Sequence, residues 1–304
     1  MSISTRASAM PEAVAVVPAR LRRARTLPAL ALRSPKSLVG IGVLFIVITL
    51  ALLAPVLAPY PATEMHVLDR FRTPSRAYVL GTDFYGRDLL SRILYGYRTS
   101  LLVAGLSVAF AVVVGGSLGI VAGYVGGVWD AAIMRAMDVV FAFPVLLLAI
   151  TIVVILGPGT LTTLLAIGLV YVPIFARIAR GPTLVVKEQA YVEAAKALGQ
   201  RPLRIILRHV APNVSTPIFV QVTISLATAL LFESALSFLG LGTQPPYPSL
   251  GLMVNEGRNY LELSPWPTVF PGAAIILAVL GFNLVGDALQ ELLDPRLRPT
   301  WTSS

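Results

Sequence analysis

Long apolar runs alternate with polar segments along the whole chain. A run of about twenty apolar residues is long enough to cross the hydrocarbon core of a bilayer as a helix. Six such runs predict transmembrane helices at residues 37–58, 101–121, 139–156, 161–178, 214–239 and 269–287. The pattern predicts an all-α polytopic membrane protein whose core, residues 99–290, contains the last five helices.

The remaining segments divide the chain further. Residues 1–36 contain seven basic residues and four prolines without a lasting helical period, which predicts a disordered basic tail. Because this basic region is too long for a secretory signal, the run at 37–58 is interpreted as a retained anchor. The polar residues 59–98 are expected to be extracytoplasmic, and residues 291–304 are expected to form a short cytoplasmic tail.

Composition and motifs narrow the function. The 304 residues are 56% hydrophobic and only 13% charged, which excludes an ordinary soluble domain. The net charge of +9 comes without an aromatic-rich basic patch, so nucleic acid is not an expected partner. There is no cysteine, phosphate-binding loop, HExxH motif or nucleophile–base pair. We therefore expect no catalytic site, bound cofactor or metal site in this chain.

The distribution of basic residues predicts the orientation. With six spans both termini lie on one side of the membrane, and that side carries seventeen of the 24 Lys and Arg residues. The positive-inside rule places it in the cytoplasm. Six arginines between Arg70 and Arg98 oppose this assignment in part. We expect a multi-pass protein of the cytoplasmic membrane with both termini in the cytoplasm.

The polar stretch Lys187–Asn213 contains two glutamates and six basic residues between two apolar spans. Helical spacing predicts a short amphipathic helix at residues 188–198. Its expected apolar side comprises Tyr191, Val192, Ala195 and Leu198. A left-handed C-cap is expected at Gly199, and a second short helix is expected to begin at Pro202 and end at Pro212. Such an ordered loop is more than a connection requires, so we infer that another molecule docks on it.

The same residues resemble a known motif. Glu193-Ala194-Ala195, followed by Gly199 and a hydrophobic run to Pro212, is similar to the EAA loop of bacterial ABC-importer permeases. In that family the loop forms a coupling helix that sits in a groove of the ATPase subunit. An ordinary amphipathic cytoplasmic loop is the alternative. The resemblance implies an ATPase-coupling role for Ala190, Glu193, Ala194, Ala195, Gly199 and Pro212.

A second motif precedes the second span. The pattern LGTD-x-x-GRD-x-x-SR-x-x-YG, beginning at Leu80, resembles permeases of the oligopeptide/dipeptide (peptide/nickel) importer subfamily, especially their C-type subunit. Asp83 is expected to N-cap a helix that begins near Tyr85. For Asp83, Arg87 and Asp88 we expect capping and local ion pairs, with a binding or catalytic role as the alternative. The apolar residues expected to lie on the bilayer surface are Leu89, Leu90, Ile93, Leu94 and Tyr97.

Within the spans, small residues recur every four positions along the second helix. Such a ridge lets two helix backbones approach closely, and its central members are Gly115, Gly119 and Gly123. Glu233 in the fifth span and Asn283 in the sixth are candidates for a translocation path. A position near the membrane interface is the alternative for Glu233. Residues 240–267 form a proline-rich polar loop.

The resemblance implies the type I ABC importer permease fold, with six transmembrane helices and the coupling helix between the fourth and the fifth. The implied partners are a homologous B-type permease, two ATPase subunits or one fused ATPase, an extracytoplasmic substrate-binding protein and the lipid bilayer. ATP and Mg²⁺ would be handled by the ATPases. The implied function is import of di- or oligopeptides by alternating access. A nickel chelate, glutathione or a sugar is the alternative cargo. An ATP-independent channel, a secondary carrier or a membrane-anchored scaffold would be a different class of function.

Overall fold

The computed structural model describes residues 35–293, in which helices are joined by loops and one isolated β-bridge links Thr82 to Asp88. The tails predicted at 1–36 and 291–304 therefore lie almost entirely outside the described residues. A 3₁₀ turn occupies Val67–Asp69 and a π-helical turn occupies Ile206–Val210. The α-helices are α1 (Pro35–Leu52), α2 (Ala54–Leu57), α3 (Leu89–Val125), α4 (Gly127–Phe141), α5 (Val145–Leu156), α6 (Thr160–Val186), α7 (Ala190–Ala197), α8 (Pro202–Ile205), α9 (Ala211–Phe238), α10 (Leu250–Arg258) and α11 (Trp266–Leu293).

Five helical segments of the described chain are long and apolar enough to cross a membrane. The pair α4 and α5 makes a sixth if it is counted as one bent span, because the two helices meet at 88°. The sequence predicted one continuous helix at 139–156, and the structure differs there. Pro144 precedes α5 with a non-helical ψ of 127°. It also has no N–H to continue the hydrogen-bond ladder of α4.

Helix α3 begins at Leu89, before the span predicted at 101–121 and after the surface helix expected to begin near Tyr85. Its N-cap is Asp88, whose carboxylate accepts hydrogen bonds from the backbone N–H of Ser91 at 2.8 Å and from its hydroxyl at 2.7 Å. The expected cap at Asp83 and the expected surface helix are therefore wrong. Most of the supposed bilayer-facing side chains are buried in the protein, and the Tyr97 hydroxyl donates to the carbonyl of Ala274 in α11 at 2.9 Å. The first turns of α3 therefore pack against other parts of the protein and do not lie on the bilayer surface.

The centre of the fold is the pair α3 and α6, which share the most extensive helix–helix contact. Helix α9 packs on α3, α6 and α11, while α1 packs on α11 at the edge. The opposite side of α1 is apolar and exposed, with Phe45 69% and Leu52 71% accessible. An exposed apolar stripe on a helix of this length is typical of a lipid-facing anchor.

Candidate functional site

The loop between α6 and α9 contains a well-formed short helix, α7. It ends at Gly199, which adopts a φ of +70°. The N–H of Gly199 donates to the carbonyl of Lys196 at 2.9 Å, and that of Gln200 donates to the carbonyl of Ala195 at 3.1 Å. These two bonds define a Schellman motif, in which glycine is favoured because it adopts positive φ without strain. The predicted left-handed cap at Gly199 is confirmed.

A small apolar cluster attaches α7 to the protein. Val192 and Ala195 are buried, but Tyr191 is 41% and Leu198 80% exposed. The predicted apolar side is therefore correct for two of its four members. Consecutive residues of a helix are rotated by about 100° around its axis. When the buried stripe is centred on residues 192 and 195, residues 191 and 198 therefore lie at its edges. The cluster comprises Val192, Ala195 and Ile205, packed against Tyr124 and Val186.

The other side of α7 is free in the isolated chain. Exposed apolar side chains continue onto α8 and the π turn, where Leu203 is 67% and Leu207 64% accessible. Arg201, Arg204 and Arg208 lie beside these leucines and line a shallow groove with them. We call this region the loop surface; it comprises the exposed residues Ala190, Glu193, Ala194, Leu198, Gly199, Arg201, Leu203, Arg204, Leu207 and Arg208. Contiguous exposed apolar area next to charged side chains indicates a protein-binding site.

Pro212 does not end the second short helix as the sequence predicted. Helical structure continues without interruption from Pro202 to Phe238. The π turn before Pro212 accommodates the proline, with the N–H of Ala211 donating to the carbonyl of Ile206, five residues back. Pro212 lies in the first turn of α9, directly after the π turn. The short helix α8, the π turn and the transmembrane helix α9 therefore form one continuous rod.

A side-chain contact joins α7 to the base of that rod. The amide nitrogen of Asn213 donates to the carbonyl of His209 at 2.6 Å and to the Tyr191 hydroxyl at 3.3 Å. The rings of Tyr191 and His209 lie 5.9 Å apart. His209 is thus part of the loop's packing. Displacement of α7 would act on α9 through these contacts as well as through the chain.

The three glycines of the small-residue ridge lie where α3 and α6 are closest. A Cβ atom on Gly115 would overlap the carbonyl oxygen of Val172, and one on Gly119 would overlap that of Ala176. A Cβ on Gly123 would lie 2.8 Å from the Cβ of Thr183. Backbone of α6 therefore occupies the space that larger residues on α3 would need. Two ion pairs from α4 reach the same end of α6: Arg180 to Asp130 at 2.5 Å and Arg177 to Asp138 at 2.7 Å.

The two candidates for a translocation path lie in different surroundings. Glu233 is fully buried, and its Oε1 accepts a hydrogen bond from the Ser237 hydroxyl at 2.8 Å. Hydroxyls of Ser100, Ser234 and Ser249 also surround it. Asn283 is exposed on α11. The structure does not bring these two residues together, and the surroundings of Glu233 favour a role in holding α3, α9 and α10 together.

The other polar motif forms a cluster that the sequence did not reveal. Arg87 and Arg92 are almost completely buried, and each donates to the same oxygen of Glu256 at 2.8 Å. The Arg87 Nε also contacts Asp83 at 2.6 Å. The expected ion pair between Asp83 and Arg87 is present, but Glu256 belongs to α10, a helix within the segment 240–267 that was described from the sequence only as a proline-rich polar loop. The local sequence signal for α10 was Ser249, a residue type favoured at helix N-termini. Its hydroxyl caps α10 by accepting a hydrogen bond from the N–H of Leu252.

Comparisons with known proteins agree with these features. A sequence profile described as "Binding-protein-dependent transport system inner membrane component" matches residues 115–299. The dipeptide transport system permease protein DppC of Alkalihalophilus pseudofirmus is 43% identical over 86% of this chain and 86% of its own. The glutathione transport system permease protein GsiD of Pectobacterium atrosepticum is 43% identical over 85% and 86%. The chain belongs to the family of binding-protein-dependent transport system inner membrane components.

The fold of this binding-protein-dependent transport component also matches solved structures. Inward-facing structures of the MetNI methionine ABC transporter align with a TM-score of 0.52 over 66% of this chain and 96% of theirs, at 18% identity. The fold is therefore that of type I ABC importer permeases, and the expected relation to permeases of the peptide-importer subfamily is confirmed. The family profile begins within α3, so α1 and residues 60–88 precede the matched core.

Proposed function

We propose that this chain is one permease subunit of an ATP-driven importer that carries di- or oligopeptides across the cytoplasmic membrane. The loop surface supports this proposal most directly, because a capped, anchored helix with an exposed outer side is a suitable docking element. Its exposed Ala190 and Ala194 permit close approach, and exposed Glu193 offers a charge for contact. Ala195 is buried, so its contribution would be to seat α7. We assign the ATPase subunit as the molecule that docks here.

The proposed mechanism is alternating access. ATP and Mg²⁺ bind to the ATPase subunits, whose closure displaces α7. A rigid α7 transmits this displacement better than a flexible loop, because its cluster with Ile205 and the Asn213 contact join it to the rod that continues as α9. Transport takes place between this permease and a second, homologous one. Both termini and the loop surface face the cytoplasm, and residues 60–88 face the outside.

The cargo assignment rests on the relatives. The dipeptide permease supports a peptide cargo, while the similarly related glutathione permease supports glutathione, itself a modified tripeptide, as a second candidate. Nickel chelates and sugars have no such support among these relatives. The separate class of ATP-independent carriers would not require the loop surface.

The test is uptake by the reconstituted complex. The permease pair, the ATPases and the binding protein encoded with them are placed in liposomes with ATP inside or outside, and labelled dipeptide, tripeptide and glutathione are offered. We expect binding-protein-dependent peptide uptake that requires ATP on the side of the loop surface. Uptake of glutathione alone would replace the cargo assignment, and uptake without ATP would contradict the proposal as a whole.

A further inference from the structure

Residues 60–88, the outer segment, form an ordered unit although they contain little regular secondary structure. The Tyr60 and Tyr78 rings lie 5.3 Å apart, and Phe84 stacks on Tyr260 at 4.6 Å with 10° between the rings. Gly81 and Gly86 have positive φ angles, and a Cβ on Gly86 would overlap the carbonyl of His66. The segment is thus folded closely against itself and against the end of α10.

The outer segment nevertheless presents apolar side chains to solvent. Leu68 is 97%, Val67 56% and Met65 51% exposed, and we call these three residues the outer tip. The adjacent backbone is held in place, because the N–H of Asp69 donates to the carbonyl of His66 at 2.7 Å and Arg72 pairs with Asp69 at 2.7 Å. Neighbouring apolar side chains that are exposed on a well-ordered turn are typical of an interaction site.

The buried ion cluster, defined as Asp83, Arg87, Arg92 and Glu256, joins the outer segment to the family core. Asp83 and Arg87 belong to the segment and Arg92 to the start of α3, whereas Glu256 belongs to α10, which packs on α9 and α11. The side chains of both arginines are at most 2% exposed. Charges removed from water in this way hold their partners in one geometry, because an unpaired buried charge is costly.

We propose that the outer tip is a docking site for the extracytoplasmic binding protein, and that the buried ion cluster fixes this site on the core. The inference rests on the proposed function, which places the outer segment outside the membrane, and on the family description, which names a binding protein. The segment itself precedes the family-matched residues 115–299.

Charge around the tip specifies the partner surface. Arg70 and Arg76 are exposed near the tip in sequence, while Arg72 is paired with Asp69, so the binding protein should offer an apolar socket with an acidic rim. Exposed Glu64 directly precedes the tip in sequence. A carboxylate at this position disfavours the surface of anionic lipid head groups, which would attract only the arginines. We therefore assign a protein and not the bilayer as the occupant.

The experiment measures the affinity of the purified binding protein for the complete transporter in nanodiscs. Leu68→Asp should weaken it about ten-fold or more, as expected for a central apolar contact. Leu263→Asp, on a 73% exposed leucine between α10 and α11, is the matched control and should stay within about two-fold. Arg76→Glu should slow association and reduce its salt dependence. Equal affinities of the Leu68→Asp variant and the wild type, or equal losses in both leucine variants, would overturn the docking site.

Two further readouts separate the parts of the proposal. Glu256→Gln should speed hydrogen exchange in residues 60–88, and unchanged exchange would refute fixation by the ion cluster. Binding of the nanodisc-embedded transporter to vesicles of anionic lipid is measured in parallel. If Leu68→Asp changes this vesicle binding but leaves the affinity for the binding protein unchanged, the tip contacts lipid and the proposal is overturned. A wild-type transporter that binds no binding protein would contradict the proposed function itself. Normal wild-type binding with an unaffected Leu68→Asp variant contradicts only the tip.

Discussion

The loop surface and the outer segment are both polar stretches between membrane helices, yet they differ in how far their charged side chains are buried. The C-terminal end of the outer segment buries its charges, with Arg87 sharing Glu256 of α10 with Arg92 at the start of α3. The loop surface exposes its arginines and also exposes Leu198 and Leu207. The buried ion cluster satisfies most of its charged groups within the chain, while the loop surface leaves both apolar and charged groups for a partner.

This difference identifies where stability and where function should be sensitive to mutation. Buried, paired charges in the outer segment are part of the folded state, so their loss should appear first in stability. Exposed side chains of the loop surface contribute little to folding, so their loss should appear in coupling to a partner. Helices α3 and α6 run between the two regions, so mutations in them should affect both stability and coupling to a partner.

The strongest test removes a member of the buried ion cluster. Arg87→Ala leaves Arg92 as the one remaining arginine partner of Asp83 and Glu256 in the cluster, at a cost of about 3 kcal/mol. The exposed Arg204 of the loop surface is the matched control, and Arg204→Ala should change stability by at most about 0.5 kcal/mol. Thermal unfolding of the purified permease measures both. Similar stability losses in the two variants would remove the distinction between the regions.

A second test separates the two regions by disturbing the helices that connect them. Gly119→Leu introduces a side chain where the α6 backbone at Ala176 already lies, and overpacking of this kind costs about 3 kcal/mol. We expect loss of complex yield or of transport. Gly116→Ala is the control, because its Cβ would meet only the Cδ1 of Ile218 at 3.8 Å. Wild-type yield and uptake with leucine at position 119 would show that close packing of α3 on α6 is dispensable.

A third test addresses the loop surface alone. Gly199→Asp keeps a residue type that tolerates positive φ, so its cost in stability should be about 1 kcal/mol, but it adds a negative charge to the loop surface. We expect an inserted, folded permease whose complex hydrolyses ATP without matching uptake. Gly199→Asn has a similar backbone tolerance without the charge and should couple nearly normally. Full transport by the aspartate variant would argue against ATPase docking at this position.

The sequence was sufficient for the features that depend on local pattern. Apolar run length predicted the helical fold and most of the spans, and the position of Gly199 after the last periodic residue predicted its left-handed cap. Both signals lie within a few residues of the feature that they predict. Pro144 was visible as well, but whether a proline merely starts a helix or also turns the chain by 88° depends on how α4 and α5 pack.

The features that the sequence did not reveal depend on contacts between distant residues. Arg87 and Glu256 are 169 positions apart, and no local spacing connects them. The start of α3 at Leu89 was missed because Asp83 and Asp88 are both good caps, and only the pairing of Asp83 with Arg87 leaves Asp88 for that role. Likewise, only the narrow contact beneath α7 decides that Val192 is buried while Leu198 is exposed.

The smallest expected effect on stability comes from removing one tyrosine hydroxyl group in each region. The buried Tyr78 donates to Asp69 Oδ2 at 2.8 Å in the outer segment, so Tyr78→Phe should cost about 1 kcal/mol. The exposed Tyr191 only accepts a 3.3 Å bond from Asn213, and Tyr191→Phe should change stability by less than about 0.5 kcal/mol. Chemical unfolding at neutral pH compares the two variants, and an equal loss in both would contradict the comparison.

The stabilisation by Tyr78 also depends on pH. Burial, together with the hydrogen bond to Asp69, raises the pKa of Tyr78 from 10.0 to about 12. Because the folded state holds the phenolic proton more tightly than the unfolded state, this stabilisation is fully present below pH 10.0 and is lost as the pH rises to about 12. Stability measured between these values should fall more steeply for the wild type than for Tyr78→Phe. Parallel curves would show that the Tyr78 hydroxyl is not held in the outer segment as the structure describes.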